Sequence, residues 1–162
     1  MTKKKNNIGV VIGRFQPFHK GHAWLIKKAS ERFEKVVILI GSPTADDKNN
    51  PWDLKKRVRM VKKFIKHENL NKKILKIEEI VDVPDDDKWL IIALKKIGNE
   101  KFVVVGDNEW VNGIFENAGY KVWRTGYFKR ENYEGVKIRQ LINEGNLWSD
   151  RIPEYLISLI KN

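Results

Sequence analysis

The sequence contains no cysteine, which excludes disulfides, thiolate metal centres and a cysteine nucleophile. No apolar run approaches the ~20 residues that a membrane-spanning helix requires. The opening residues 1–7 are basic, but no long apolar region follows them, so no secretory leader is expected and the chain reads as cytoplasmic. Histidine is scarce, with three in 162 residues, so its placement carries weight. No Pro/Gly/Ser-rich linker, internal repeat or low-complexity segment interrupts the chain. A single domain over residues 1–162 follows, long enough to bury a core without staples.

What is abundant is positive charge. The net charge of +11 suits polyanionic ligands, nucleotides and nucleic acids alike. The lysines are spread along expected helix faces, among them Lys27, Lys28, Lys55, Lys56, Lys62 and Lys63. No nucleic-acid module is recognisable and nucleic acid is not expected as a partner.

Apolar patterning alternates between two periods. Strand-like runs cover 8–12, 35–40, 74–80, 102–105 and 121–123. Helix-like stretches cover 21–33, 53–67, 88–97 and 108–118, with two more at 135–143 and 153–160. Val36-Val37-Ile38-Leu39-Ile40 and Val103-Val104-Val105 are continuously apolar, as expected for strands covered on both faces. The pattern predicts a doubly wound, Rossmann-like α/β domain with a five-stranded parallel sheet and C-terminal helices. In such sheets ligands bind beyond the carboxyl ends of the strands, so the loops leaving those ends hold the candidate site.

The first such loop is Gly13-Arg14-Phe15-Gln16-Pro17-Phe18-His19-Lys20-Gly21-His22. It joins a strand to a helix N-terminus, where backbone N–H groups and the helix dipole favour anions. Two of the three histidines stand there as His-x-Gly-His beside Arg14. Imidazoles so placed donate to phosphate oxygens and stabilise charge built up in phosphoryl or nucleotidyl transfer. Gly21 is expected to let the backbone approach the ligand. The simpler account is a capping histidine and a surface histidine. The third histidine, His67, lies in a lysine-rich helix and reads as solvated.

Residues 13–22 resemble the nucleotide-binding signature of the HxGH nucleotidyltransferase superfamily, and most closely the archaeal-type nicotinamide mononucleotide (NMN) adenylyltransferases. Asn50-Pro51-Trp52 and the helix after it resemble that family's Asn-Pro-aromatic segment, which makes Arg57 the matching phosphate-contacting arginine. Val83-Pro84-Asp85 with Trp89 resembles its Ile-Pro-Asp segment and downstream tryptophan, implying acceptor contacts from Asp85 and Trp89. A polar turn with Trp89 as a core anchor remains the alternative there. Asn108 matches an asparagine after the fourth strand, although a helix cap explains it equally. Glu134-Gly135-Val136-Lys137-Ile138-Arg139 resembles the second signature, Ser-Gly-Thr-x-Ile-Arg, with both hydroxyls replaced.

The resemblance implies transfer of AMP from ATP to NMN, giving NAD and pyrophosphate, with magnesium bridging phosphate oxygens and a homo-oligomeric assembly. His19, His22 and Arg14 would be catalytic. Gly13, Phe15, Gly21, Arg57, Asn108, Gly135, Ile138 and Arg139 would bind ATP, and no protein metal ligand is expected. Two alternatives stay open: another acceptor such as pantetheine phosphate or FMN, or a non-catalytic nucleotide-sensing or RNA-binding derivative.

Overall fold

A computed structural model of the chain describes residues 8–126 and 128–161. Residues 1–7, on which the absence of a leader was argued, and Tyr127 lie outside the described residues. Strands β1 (Ile8–Gly13), β2 (Lys35–Gly41), β3 (Ile74–Ile80), β4 (Phe102–Val105) and β5 (Lys121–Trp123) form one sheet. Its order is β3-β2-β1-β4-β5, and every pairing is parallel. The order reverses at β1, and the crevice between β1 and β4 is where such a sheet opens for ligands.

Helices α1 (Lys20–Arg32), α2 (Leu54–His67), α3 (Asp86–Ile97), α4 (Glu109–Asn117), α5 (Gly135–Asn143) and α6 (Ile157–Lys161) cover both faces. Side chains alternate along β2: Val36, Ile38 and Ile40 enter the core under α1 and α2, and Val37 and Leu39 the core under α3 and α4. Burial on both sides explains why that strand is apolar throughout.

Two elements differ from expectation by more than one residue at a boundary. Helix α3 begins at Asp86, because Asp85 caps it by accepting from Lys88 N at 2.9 Å. The pattern at 153–160 divides into a 3-10 turn (Glu154–Leu156) and the short α6. Among the described residues, no helix is long and apolar enough to cross a membrane.

Candidate active site

The loops after β1, β4 and β5 and the start of α5 enclose a cavity of about 590 Å³, a size suited to a small-molecule ligand. His19 is the N-cap of α1, and His22 is its third residue. Nδ1 of His19 accepts from Gly21 N at 3.1 Å and His22 N at 3.4 Å. Nδ1 of His22 accepts from His19 N at 3.1 Å. This is a reciprocal capping box built from two imidazoles. Their rings stack with centroids 3.7 Å apart.

An accepting Nδ1 carries no proton, so each neutral ring holds its hydrogen on Nε2. Burial acts in the same direction, lowering His19 from 6.5 to about 3. His22 is held well below 6.5 by its burial and then by His19. At neutral pH the pair is therefore two uncharged Nε2–H donors at the cavity wall. Capping uses Nδ1 of each ring, which leaves Nε2 for the donor role that the catalytic account requires.

Gly21 also has a packing purpose. A Cβ there would lie 2.8 Å from the His19 ring and 3.2 Å from Tyr133 Cβ. Its missing side chain makes room for the capping imidazole. Gly135 acts in a similar way, since a Cβ would sit 2.9 Å from Arg139 Nη1 and 3.1 Å from Gln16 O. Through that gap Arg139 Nη1 donates to Gln16 O at 2.6 Å. Arg139 is 8% exposed and lines the cavity with Arg14. Its burial, and then the charge of Arg14, lower its pKa. Two guanidinium groups that raise each other's energy make a cavity wall that favours anions.

A cytidylyltransferase-like family profile matches residues 10–141. The chain belongs to this family. The nicotinamide-nucleotide adenylyltransferase of Haloarcula marismortui is 30% identical over 94% of this chain and 80% of its own length. That of Saccharolobus solfataricus is 34% identical over 90% of this chain and 85% of its own. Among solved structures, the bifunctional NMN adenylyltransferase/ADP ribose pyrophosphatase of Francisella tularensis superposes with a TM-score of 0.79 at 25% identity. The match covers 91% of this chain but 45% of that longer one. The same Francisella protein has been solved complexed with AMP and Mn ion, at a TM-score of 0.74 and 25% identity.

In this cytidylyltransferase-like chain, Gly13, Arg14, Phe15, His19, Gly21, His22, Asn108, Gly135 and Arg139 all line the cavity. Asn108 also caps α4, accepting from Val111 N at 3.2 Å. Four other expected residues do not reach it. Arg57 is 0% exposed. It donates to the carbonyls of Arg14, Gly41 and Ser42 at 3.0, 2.8 and 2.9 Å. Its fork ties the ends of β1 and β2 together rather than meeting phosphate. Ile138 is fully buried in the core under α1 and α2.

Trp89 is 3% exposed, packed against Phe115 and Trp110 in the opposite core. Asp85 uses its carboxylate to cap α3. The expected acceptor contacts from Asp85 and Trp89 are thus replaced by a cap and a core anchor. His67 is not merely solvated either, because its ring stacks on Tyr155 at 3.7 Å.

Sequence reasoning assigned no role to Gln16, Trp24 or Phe128. The Gln16 side chain clamps the backbone of Trp52, donating to its O at 2.9 Å and accepting from its N at 3.1 Å. A polar residue between Phe15 and Pro17 was the available signal, since a buried amide needs partners. Trp24 and Phe128 both line the cavity and stack at 5.3 Å and 9°, across a separation no local pattern reports.

Among the described residues, no group of three or more His, Asp or Glu is placed to hold a metal ion. The cavity acids are engaged within the protein. Asp107 accepts from Thr125 Oγ1 and Gly126 N at 3.0 Å each. Glu109 pairs with Arg124 at 2.8 Å, and Glu134 with Lys137 at 3.6 Å. A divalent ion carried on phosphate oxygens would need no ligand from these acids.

Proposed function

We propose that this chain is a nicotinamide-nucleotide adenylyltransferase, joining the AMP moiety of ATP to NMN to give NAD and pyrophosphate. The observation that carries the reading is the imidazole pair. Its Nδ1 atoms are fixed by the backbone, and its Nε2–H groups meet a cavity that also holds Arg14 and Arg139. The names of curated relatives at 30% and 34% identity support the acceptor.

In the reaction, a phosphate oxygen of NMN forms a bond to the α-phosphorus of ATP. The bond from that phosphorus to the bridging oxygen breaks, and its electron pair leaves with pyrophosphate. His19 and His22 donate through Nε2 to the oxygens on which charge accumulates, without changing protonation state. Because their donors are preset by the cap, little reorganisation accompanies the reaction. Arg14 and Arg139 offset the triphosphate charge. The exposed α5 N-terminus, with Gly135 and Val136 at the wall, adds backbone N–H groups.

Magnesium, carried on the phosphates, would neutralise charge on the leaving pyrophosphate. The unit is a single nucleotidyltransferase domain over 1–162, acting in the cytoplasm and assembling as a homo-oligomer. Incubation with ATP, magnesium and a panel of acceptors, with products identified by mass, tests the reading. NAD and pyrophosphate from NMN are expected. Adenylylation of pantetheine phosphate or FMN in preference to NMN would overturn it.

A further inference from the structure

Arg14 is held at both ends. Its carbonyl accepts from Arg57 Nη1 at 3.0 Å. At the other end, its Nη1 meets Oδ1 of Asn50 at 3.4 Å. Asn50 opens the Asn-Pro-aromatic segment, from which only Arg57 was expected to meet phosphate. It sits on the loop between β2 and α2, yet is only 7% exposed.

The Asn50 carboxamide is not free to turn. Its Nδ2 donates to Asp47 Oδ1 at 3.1 Å and Oδ2 at 3.3 Å, which leaves Oδ1 as the atom facing Arg14. Asp47 is fixed in turn, since its Oδ1 accepts from Asn49 N at 2.8 Å. Asn50 N also donates to Asp47 O at 2.9 Å, closing the turn. The Asp47 carboxylate lies close enough to feel Arg14, and its charge reaches Arg139 as well. A carboxylate, an amide and a guanidinium thus form a relay from an outer loop into the cavity.

We propose that Asn50, locked by Asp47, is the positioning residue of Arg14, aiming its guanidinium at the nucleotide phosphates before they arrive. The proposal rests on the adenylyltransferase reading for the identity of the ligand. A long cation left to itself samples many rotamers, and fixing one beforehand removes that ordering from the binding step. Asn suits the position better than a second carboxylate. It offers one oxygen to Arg14 and its N–H groups to Asp47, so the relay stays aligned without adding negative charge beside the triphosphate.

The test is a double-mutant cycle on ATP affinity, read by calorimetry with magnesium present and thermal melting as a control. Asn50→Ala should weaken ATP binding about 10-fold in the wild-type background and have almost no effect in Arg14→Ala. Asp47→Ala should reproduce the loss and not add to that of Asn50→Ala, which keeps the test open if one variant folds poorly. Equal losses with and without Arg14 would show that Asn50 acts only through the loop's integrity, and would overturn the proposal. Unchanged ATP affinity in Asn50→Ala would do so too. The function itself fails separately, if wild-type protein binds ATP but forms no NAD from NMN.

Discussion

Replacing His19 by asparagine separates its two roles. Asn is a strong N-cap whose side-chain oxygen can accept from Gly21 N and His22 N as Nδ1 does. The cap itself should then survive at pH 7.5, so that any loss there reports the missing ring stack on His22. At acid pH the two proteins should diverge. His19 is held neutral in the folded chain, with its pKa lowered from 6.5 to about 3. Between those values the unfolded ring binds a proton and the folded ring does not, so folding loses stability as pH falls below 6.5.

At pH 5 this amounts to 1.5 units below the unfolded value, or about 2 kcal/mol at ~1.4 kcal/mol per unit. Urea unfolding at pH 7.5 and pH 5 measures it. The wild type should lose about 2 kcal/mol more than His19→Asn across that interval. Carboxylates common to both proteins cancel in the comparison. Meanwhile kcat should fall at least ~100-fold, because Asn does not place a donor where Nε2–H stands. Equal pH-dependent losses in the two proteins would refute the buried neutral imidazole, and with it the tautomer argument for the donor pair.

Trp89→Ala should destabilise the fold by about 3–5 kcal/mol, read by denaturant titration, while leaving KM for NMN unchanged in the folded fraction. A selective rise in that KM would return Trp89 to the acceptor site. Arg57→Ala strands three backbone carbonyls at the ends of β1 and β2, and a loss of about 3 kcal/mol or more in unfolding free energy is expected. Glu134→Ser with Val136→Thr removes the carboxylate paired with Lys137 and supplies two hydroxyls at the cavity wall. Calorimetry at low and high magnesium should show ATP binding tightened by roughly 1–3 kcal/mol and less dependent on the metal; weaker binding would sink that account.

The strands were legible because their signal is local. The run 36–40 is apolar on both faces, and only the terminal Gly41 was missed. The first signature was legible for a similar reason, as a strand, a turn and a helix start carry their chemistry within ten residues. Arg57 was misread because its partners lie 15, 16 and 43 residues away, and an arginine on a basic helix has the same pattern facing in or out. Trp89 failed likewise. An aromatic just past a strand end gives no sign of which side Trp110 and Phe115 will occupy. The start of α3 was misplaced because Asp85, Asp86 and Asp87 are three equivalent caps in sequence, and only the backbone geometry selects the first. For His19 the sequence offered capping and catalysis as rivals, when one ring has two nitrogens and room for both.

The bond from Arg139 to the Gln16 carbonyl spans 123 residues of chain. It has a consequence for the order in which the protein becomes competent. During synthesis the first signature emerges early, with the imidazole cap formed from neighbours, while its strand awaits β2 and β4. The anion-favouring wall cannot close until residue 139 has been made and α5 has docked. Contacts of such sequence separation carry a loop-closure cost that local contacts do not. An intermediate with the sheet in place but α5 undocked would hold the histidines correctly and still bind nucleotide poorly, so recovery of ATP affinity should lag recovery of secondary structure during refolding.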